Sequence, residues 1–79
     1  MKEKRIVFIK TGLWVFVGDY EEHIPGGDVH LSGARNIVHW TGGIGRIARG
    51  DYSRAEFSYC GDIEIKQEEI SFTIKCVME

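Results

Sequence analysis

Two neighbouring stretches, Arg5–Lys10 and Leu13–Tyr20, are apolar at both parities. A β-strand sends successive side chains to opposite faces. Ile6 and Phe8 therefore oppose Val7 and Ile9, while Leu13, Val15 and Val17 oppose Trp14, Phe16 and Tyr20. Strands apolar on both sides need cover on both sides. In a chain of 79 residues, one face can pack on the chain's own core. The other must meet a helix or a second subunit, which makes a homo-oligomer the expectation. The alternative is a small closed barrel that leaves one apolar row partly exposed.

Length sets the same pressure. Residues 1–79 have room for one domain only. A chain of this size buries roughly 60% of its unfolded surface, so its core is thin. The apolar residues are mostly Ile, Val, Phe, Tyr and Trp, which suit pleated surfaces. Leucine occurs only at positions 13 and 31, too rarely for a helical bundle. Ten glycines and a single proline point to turns between short strands.

The rest of the chain extends this pattern. Gly18 interrupts the second stretch and predicts a bulge or a close backbone approach. Pro25-Gly26-Gly27 predicts a turn. Asp28–Ser32 and Arg35–Trp40 read as two short strands joined tightly through Ser32-Gly33. From Thr41 to Gly50 the period changes: Ile44, Ile47 and Ala48 share one helical face, and Arg46 and Arg49 the opposite one. Thr41 is placed to cap this short helix and Gly50 to end it in a left-handed conformation. Phe57 and Tyr59 read as a short strand and Asp62–Lys66 as another. Glu69–Met78 reads as a last strand with Ile70, Phe72, Ile74, Cys76 and Met78 inward. The expected architecture is mainly β with one short helix (α+β): a small, partly open barrel or bent antiparallel sheet of five to seven strands.

Charge narrows the partners. The formal net charge is −2, which does not favour a nucleic-acid polymer. It is uneven, however. Residues 35–55 carry Arg35, Arg46, Arg49 and Arg54 against Asp51 alone. A compact basic patch on an acidic chain suits a small anion. The start of the chain has no apolar core of signal-peptide type, and no stretch is long and apolar enough to span a bilayer. The expectation is a cytoplasmic protein without membrane association, its Cys60 and Cys76 reduced.

The segment Ala34–Gly50 holds the leading candidate site. Glycines ahead of a helix leave backbone N–H groups approachable, and a helix start favours an anion. Trp40 offers a flat face, and Arg35, Arg46 or Arg49 can meet a phosphate. The candidate ligand-binding set is Arg35, His39, Trp40, Gly43, Gly45, Arg46 and Arg49. The same residues also have a plain structural reading, with Trp40 in the core, the glycines as a turn and the arginines solvated. The segment has neither P-loop nor dinucleotide-fold spacing, so no cofactor is expected. His23, His30, His39, Asp28, Cys60 and Cys76 lack zinc-type spacing. Asp62-Ile-Glu64-Ile-Lys66 has the acidic-x-Lys pattern of metal-dependent nucleases but is also the polar face of an alternating strand. Cys60 has no local partner that would make it a nucleophile.

Phe16-Val17-Gly18, the block Ala34-Arg35-Asn36-Ile37-Val38-His39-Trp40-Thr41-Gly42, Ile47-Ala48 and Ile74-Lys75-Cys76 occur in an order that resembles an uncharacterised family of small bacteriophage and prophage proteins. That family has a second Arg where Asn36 stands and aromatics where Val38 and His39 stand. The resemblance implies a phage origin and a host-cytoplasmic location. Very small phage proteins without catalytic constellations often act by binding. One class looks like oligomeric sponges that sequester nucleotide second messengers of host defence. The expected function is therefore non-enzymatic binding of a small anionic ligand by a homo-oligomer. The alternatives are a protein-binding inhibitor or structural accessory acting through the apolar strands, and a small metal-dependent hydrolase.

Overall fold

The structure is a computed structural model that describes residues 3–12, 14–22 and 27–76. Leu13, His23, the Pro25-Gly26 part of the expected turn, and Met78 lie outside the described residues. Five antiparallel strands form one sheet: β1 (Glu3–Ile9), β2 (Val15–Glu22), β3 (Val29–Trp40), β4 (Ala55–Ile65) and β5 (Ile70–Lys75). Helix α1 (Ile44–Ala48) lies between β3 and β4, and a 3-10 turn (Gln67–Glu69) joins β4 to β5. The order across the sheet is β4-β3-β2-β1-β5, and the sheet is not closed.

Both alternating rows of β1 and β2 are buried. On one face Ile6, Val15, Val17, Ile37 and Cys76 pack under Ile47 and Ala48 of the helix. On the other, Val7, Leu31, Ala34 and Ile65 form a second cluster, joined by Ile9, Phe16, Tyr20, Ile63 and Ile70. β1 and β4 stand three strand spacings apart, roughly 14 Å in a flat sheet. Val7 and Ile65 nevertheless share a cluster, so the sheet curls. The short link requires the same thing. Four residues separate Ile65 from Ile70, too few to cross four flat spacings of roughly 19 Å when three of them are coiled in a 3-10 turn.

Curling is achieved by bulges. Register shifts fall between Val17 and Asp19 on β2 and between Leu31, Ala34 and Arg35 along β3. Gly33 (φ 57°) and Gly61 (φ 84°) sit at the bend of the β3–β4 pair in the left-handed region that glycine tolerates. This corrects two expectations. Ser32-Gly33 is not a hairpin connection: Asp28–Ser32 and Arg35–Trp40 are the two halves of one strand, β3, kinked at Gly33. Likewise Phe57, Tyr59 and Asp62–Ile65 are one strand, β4, kinked at Gly61. A glycine between two apolar runs marked a bulge rather than a turn, because the neighbouring strand bends in register with it.

The bend also supplies cover. Helix α1 caps one face, and the folded-over half of the β3–β4 pair covers the other. Both faces of β1 and β2 thus find partners inside the chain. What remains exposed is local: Trp14 at 52%, Val38 at 57%, Tyr59 at 74% and Phe72 at 53%. Phe72, expected inward, lies on the edge strand and stacks on Phe8 with centroids 4.4 Å apart. The inward row of β5 is also split. Ile74 joins the helix-side cluster and Ile70 the other, because the β1–β5 register shifts between Phe8 and Ile9.

Candidate functional site

The expected site residues scatter. Trp40 is half-buried and packs against the helix-side cluster with Ile44, as its structural reading had it. His39 is exposed on β3, opposite Glu56. Helix α1 has only five residues, and its cap is Gly43, with no side-chain cap. Thr41, expected to cap it, instead donates its N–H to the Arg54 carbonyl at 3.0 Å, extending the β3–β4 ladder. Gly50 ends the helix at φ 88°, as expected. A helix this short has a small dipole.

Gly43 and Gly45 are exposed. Arg46 is committed: its Nε donates to the Gly42 carbonyl at 3.2 Å, and its Nη1 lies 3.5 Å from Asp51 Oδ2. Asp51 also accepts the Ser53 hydroxyl at 2.6 Å and the Ser53 N–H at 3.1 Å. These two bonds, then the nearby Arg46 charge, hold its carboxyl below the usual carboxylate range. Arg46 and Asp51 thus tie the helix to the loop after it. Arg49 is exposed and makes no ion pair among the described residues.

Arg35 stands apart from this group. It lies on the helix-side face of β3, its guanidinium 5.9 Å from the Phe57 ring centroid. Together with Lys4 of β1 and Tyr52 of the α1–β4 connection it lines a cavity of about 60 Å³. Val17, Gly18 and Gly33 form the remaining walls. Tyr52 is fixed by an edge-on contact with Phe57, centroids 5.0 Å apart. Neither Lys4 nor Arg35 makes an ion pair among the described residues. Asp19 faces Lys4 across the β1–β2 pair yet forms no ion pair with it. Two cations beside glycine backbone, with an aromatic residue lining the same cavity, form an arrangement that attracts an oxyanion.

Lys4 and Tyr52 were missed at the level of sequence. The signal was present for Lys4, which falls on the same parity as Ile6 and Phe8, a lysine in an apolar row. Tyr52 had no signal, because it reaches the cavity only through the path of the helix.

Two further hollows lie away from this cavity. A polar cleft of about 630 Å³ runs past Glu3, Arg5, Tyr20, Gln67 and Ser71. Arg5 donates to Glu3 and to Thr73 Oγ1 (3.0 Å), and its guanidinium sits 4.7 Å from the Tyr20 ring centroid. Hydrogen bonding from Arg5, with further attraction from Lys75, holds Glu3 below the usual carboxylate range. An apolar groove of about 310 Å³ is lined by Ile9, Trp14, Phe16, Ile63 and Ile65, with Glu64 and Glu69 on it. Trp14 and Phe16 stack there, centroids 5.8 Å apart.

The metal and nucleophile candidates do not converge. Among the described residues no three of His, Cys, Asp and Glu cluster as metal ligands. Asp62 accepts the Gly33 N–H at 3.1 Å and lies 3.9 Å from His30 Nε2, so it pins the bulge. Glu64 lines the apolar groove instead. Cys60 is exposed on β4, and its thiol faces the Ser58 carbonyl at 3.5 Å. Cys76 is buried, and burial pushes its thiol above the usual range. Among the described residues no helix is long and apolar enough to cross a membrane. No family model, no curated protein and no solved structure matches the chain.

Proposed function

We propose that this protein acts by binding, without catalysis, and that its ligand is a small anion seated between Lys4 and Arg35. The single observation behind this reading is the cavity these two cations share, with no carboxylate paired to either among the described residues. Its volume, about 60 Å³, is small, with room for one small anionic group in place of water. The rest of a larger ligand would lie outside it. Resemblance of the Ala34–Gly42 block to small phage proteins makes a nucleotide second messenger of host defence the ligand to try first. Compared with the set expected from sequence, the site keeps Arg35 and moves away from Gly43, Gly45, Arg46 and Arg49.

Thermal shift with cyclic dinucleotides and ADP-ribose derivatives tests the reading. The expected result is a rise in melting temperature that is lost in Lys4→Ala and Arg35→Ala and kept in Arg49→Ala. A shift lost only in Arg49→Ala would return the site to the helix. No shift with any phosphorylated probe at saturation would end the proposal.

The Trp14–Phe16 groove favours a second reading, a protein-binding inhibitor or accessory. A large exposed indole over an apolar trough with carboxylates on it suits an apolar segment with basic flanks. A pull-down from host lysate separates the two readings. One stoichiometric host protein, lost with Trp14→Glu and kept with Arg35→Ala, supports the second. No such protein, or one indifferent to Trp14, removes it.

A further inference from the structure

The strand order leaves two edges without a strand partner among the described residues, the outer sides of β4 and β5. Exposed backbone edges invite pairing with another chain. The two edges here differ, and the difference has a direction. We propose that copies of this chain associate head to tail, the outer edge of β5 in one copy pairing with the outer edge of β4 in the next.

Three observations carry this independently of the anion reading. First, the aromatic side chains match. The register sets Tyr59, Arg35, Val17, Ile6 and Ile74 in one row across the sheet, so Tyr59 on one edge and Ile74 on the other share a face. Phe72, two residues from Ile74, lies on that face as well. Tyr59 is 74% exposed and Phe72 53% exposed. Docked edge to edge, the rings become cross-strand neighbours, the contact that stabilises paired strands.

Second, the charges disfavour pairing of β4 with itself. β4 presents exposed Glu56, Asp62 and Glu64, whereas β5 carries Lys75 and no carboxylate. Antiparallel pairing of β4 with a second β4 crowds carboxylates together, and pairing with β5 does not. Third, the space is present. Ile70 and Thr73 lie towards one face of β5 and Phe72 towards the other, yet all three line the cleft of about 630 Å³ together with Ser71. That cleft therefore reaches the β5 edge, extending from there over Glu3, Arg5 and Tyr20. Gln67 lines it too.

Head-to-tail and two-fold pairing separate cleanly by mixing variants, because a head-to-tail interface uses a different edge on each side. Tyr59→Glu damages only the β4 edge, and Phe72→Glu only the β5 edge. Both positions are exposed, and circular dichroism with a melting curve checks that each variant is folded. By native mass spectrometry and analytical ultracentrifugation the wild type is expected to self-associate and each variant to be monomeric. An equimolar mixture is expected to form one-to-one dimers, joining the intact β5 edge of Tyr59→Glu to the intact β4 edge of Phe72→Glu. A monomeric wild type overturns the proposal. So does a Tyr59→Glu variant that still dimerises beside a monomeric Phe72→Glu, which is the signature of β5 pairing with itself. Failure of the mixture to associate overturns it as well.

Discussion

Replacing Gly18 by alanine should destabilise the fold, for a reason that can be located atom by atom. An added Cβ would lie 2.9 Å from the Ser32 carbonyl oxygen, 3.0 Å from Leu31 Cγ and 3.1 Å from Ala34 Cα. Two of these three atoms are backbone of β3 and cannot rotate away. The methyl must therefore push β2 from β3 at the bulge where the sheet bends. Overpacking of this kind costs about 1–3 kcal/mol. Reduced freedom of the unfolded chain returns about 0.4–1 kcal/mol. The net loss is up to about 2.6 kcal/mol, which for a domain of this size lowers Tm by up to roughly 20 °C. Two companions isolate the cause. Gly33→Ala meets nothing within 4 Å but must hold φ near 57°, so it carries only the left-handed penalty of about 1–2 kcal/mol. Gly45→Ala meets nothing, has no such φ and sits in the helix, so it should gain up to about 1 kcal/mol and raise Tm. Thermal and urea unfolding of the three variants provide the measurement. If Gly18→Ala melts with the wild type while Gly45→Ala behaves as expected, the close approach of β2 and β3 is not what glycine serves at position 18.

Other expectations follow from single contacts. Ile47→Ala removes the most buried helix residue and should cost about 2–5 kcal/mol, read as a fall in the urea midpoint. In native protein, iodoacetamide should modify Cys60 and leave Cys76 until the chain unfolds, since Cys76 is buried and its thiol is held protonated; mass spectrometry of the labelled protein reports which one reacts. Glu3 is depressed in the fold by Arg5 and Lys75, so its contribution is present above the ordinary carboxylate pKa of about 4.3 and is lost as pH falls through the lower folded value. Melting curves from neutral to acid should accordingly show a smaller acid loss in Glu3→Gln than in the wild type. Asp19→Asn removes the carboxylate that faces Lys4 across the β1–β2 pair, so it should tighten phosphate binding by isothermal titration; weaker binding would argue that Lys4 does not face the anion.

What could be read from the sequence was whatever period and parity carry. The two opposed rows of β1, the helical face of Ile44, Ile47 and Ala48, the C-terminal Gly50 and the interruption at Gly18 all took the positions that local pattern assigns them. The five strands fall within the expected five to seven, but which apolar runs join into one strand was not legible. Gly33 and Gly61 each separate two apolar runs, and a glycine there serves a turn or a bulge equally well. The choice was made by pairing: β3 and β4 bend at matching points, and Asp62, across the pair, holds the Gly33 N–H. That bond joins residues 29 positions apart, a distance no window of sequence spans.

The same limit explains the site. Composition marked residues 35–55 as basic, and proximity in sequence grouped Arg35 with Arg46 and Arg49. The helix then turned Arg46 towards Asp51, while the sheet carried Arg35 across β2 to the face of Lys4. Cations cluster where strands place them, and neighbours in a ladder are residues such as Lys4 and Asp19 or Val17 and Arg35, far apart in the chain. The apolar surplus of β1 and β2 behaves in the same way. It pointed to a partner subunit covering a sheet face, and the curl of β3 and β4 supplies that cover from within. The bend that buries the faces leaves the edges, and the exposed Tyr59 and Phe72 lie on them. If the chain associates with itself, the physical need it meets is edge pairing rather than face burial. The interface should then be rich in backbone hydrogen bonds, and hydrogen exchange on assembly should slow at the β4 and β5 amides while the amides of β2 stay unchanged.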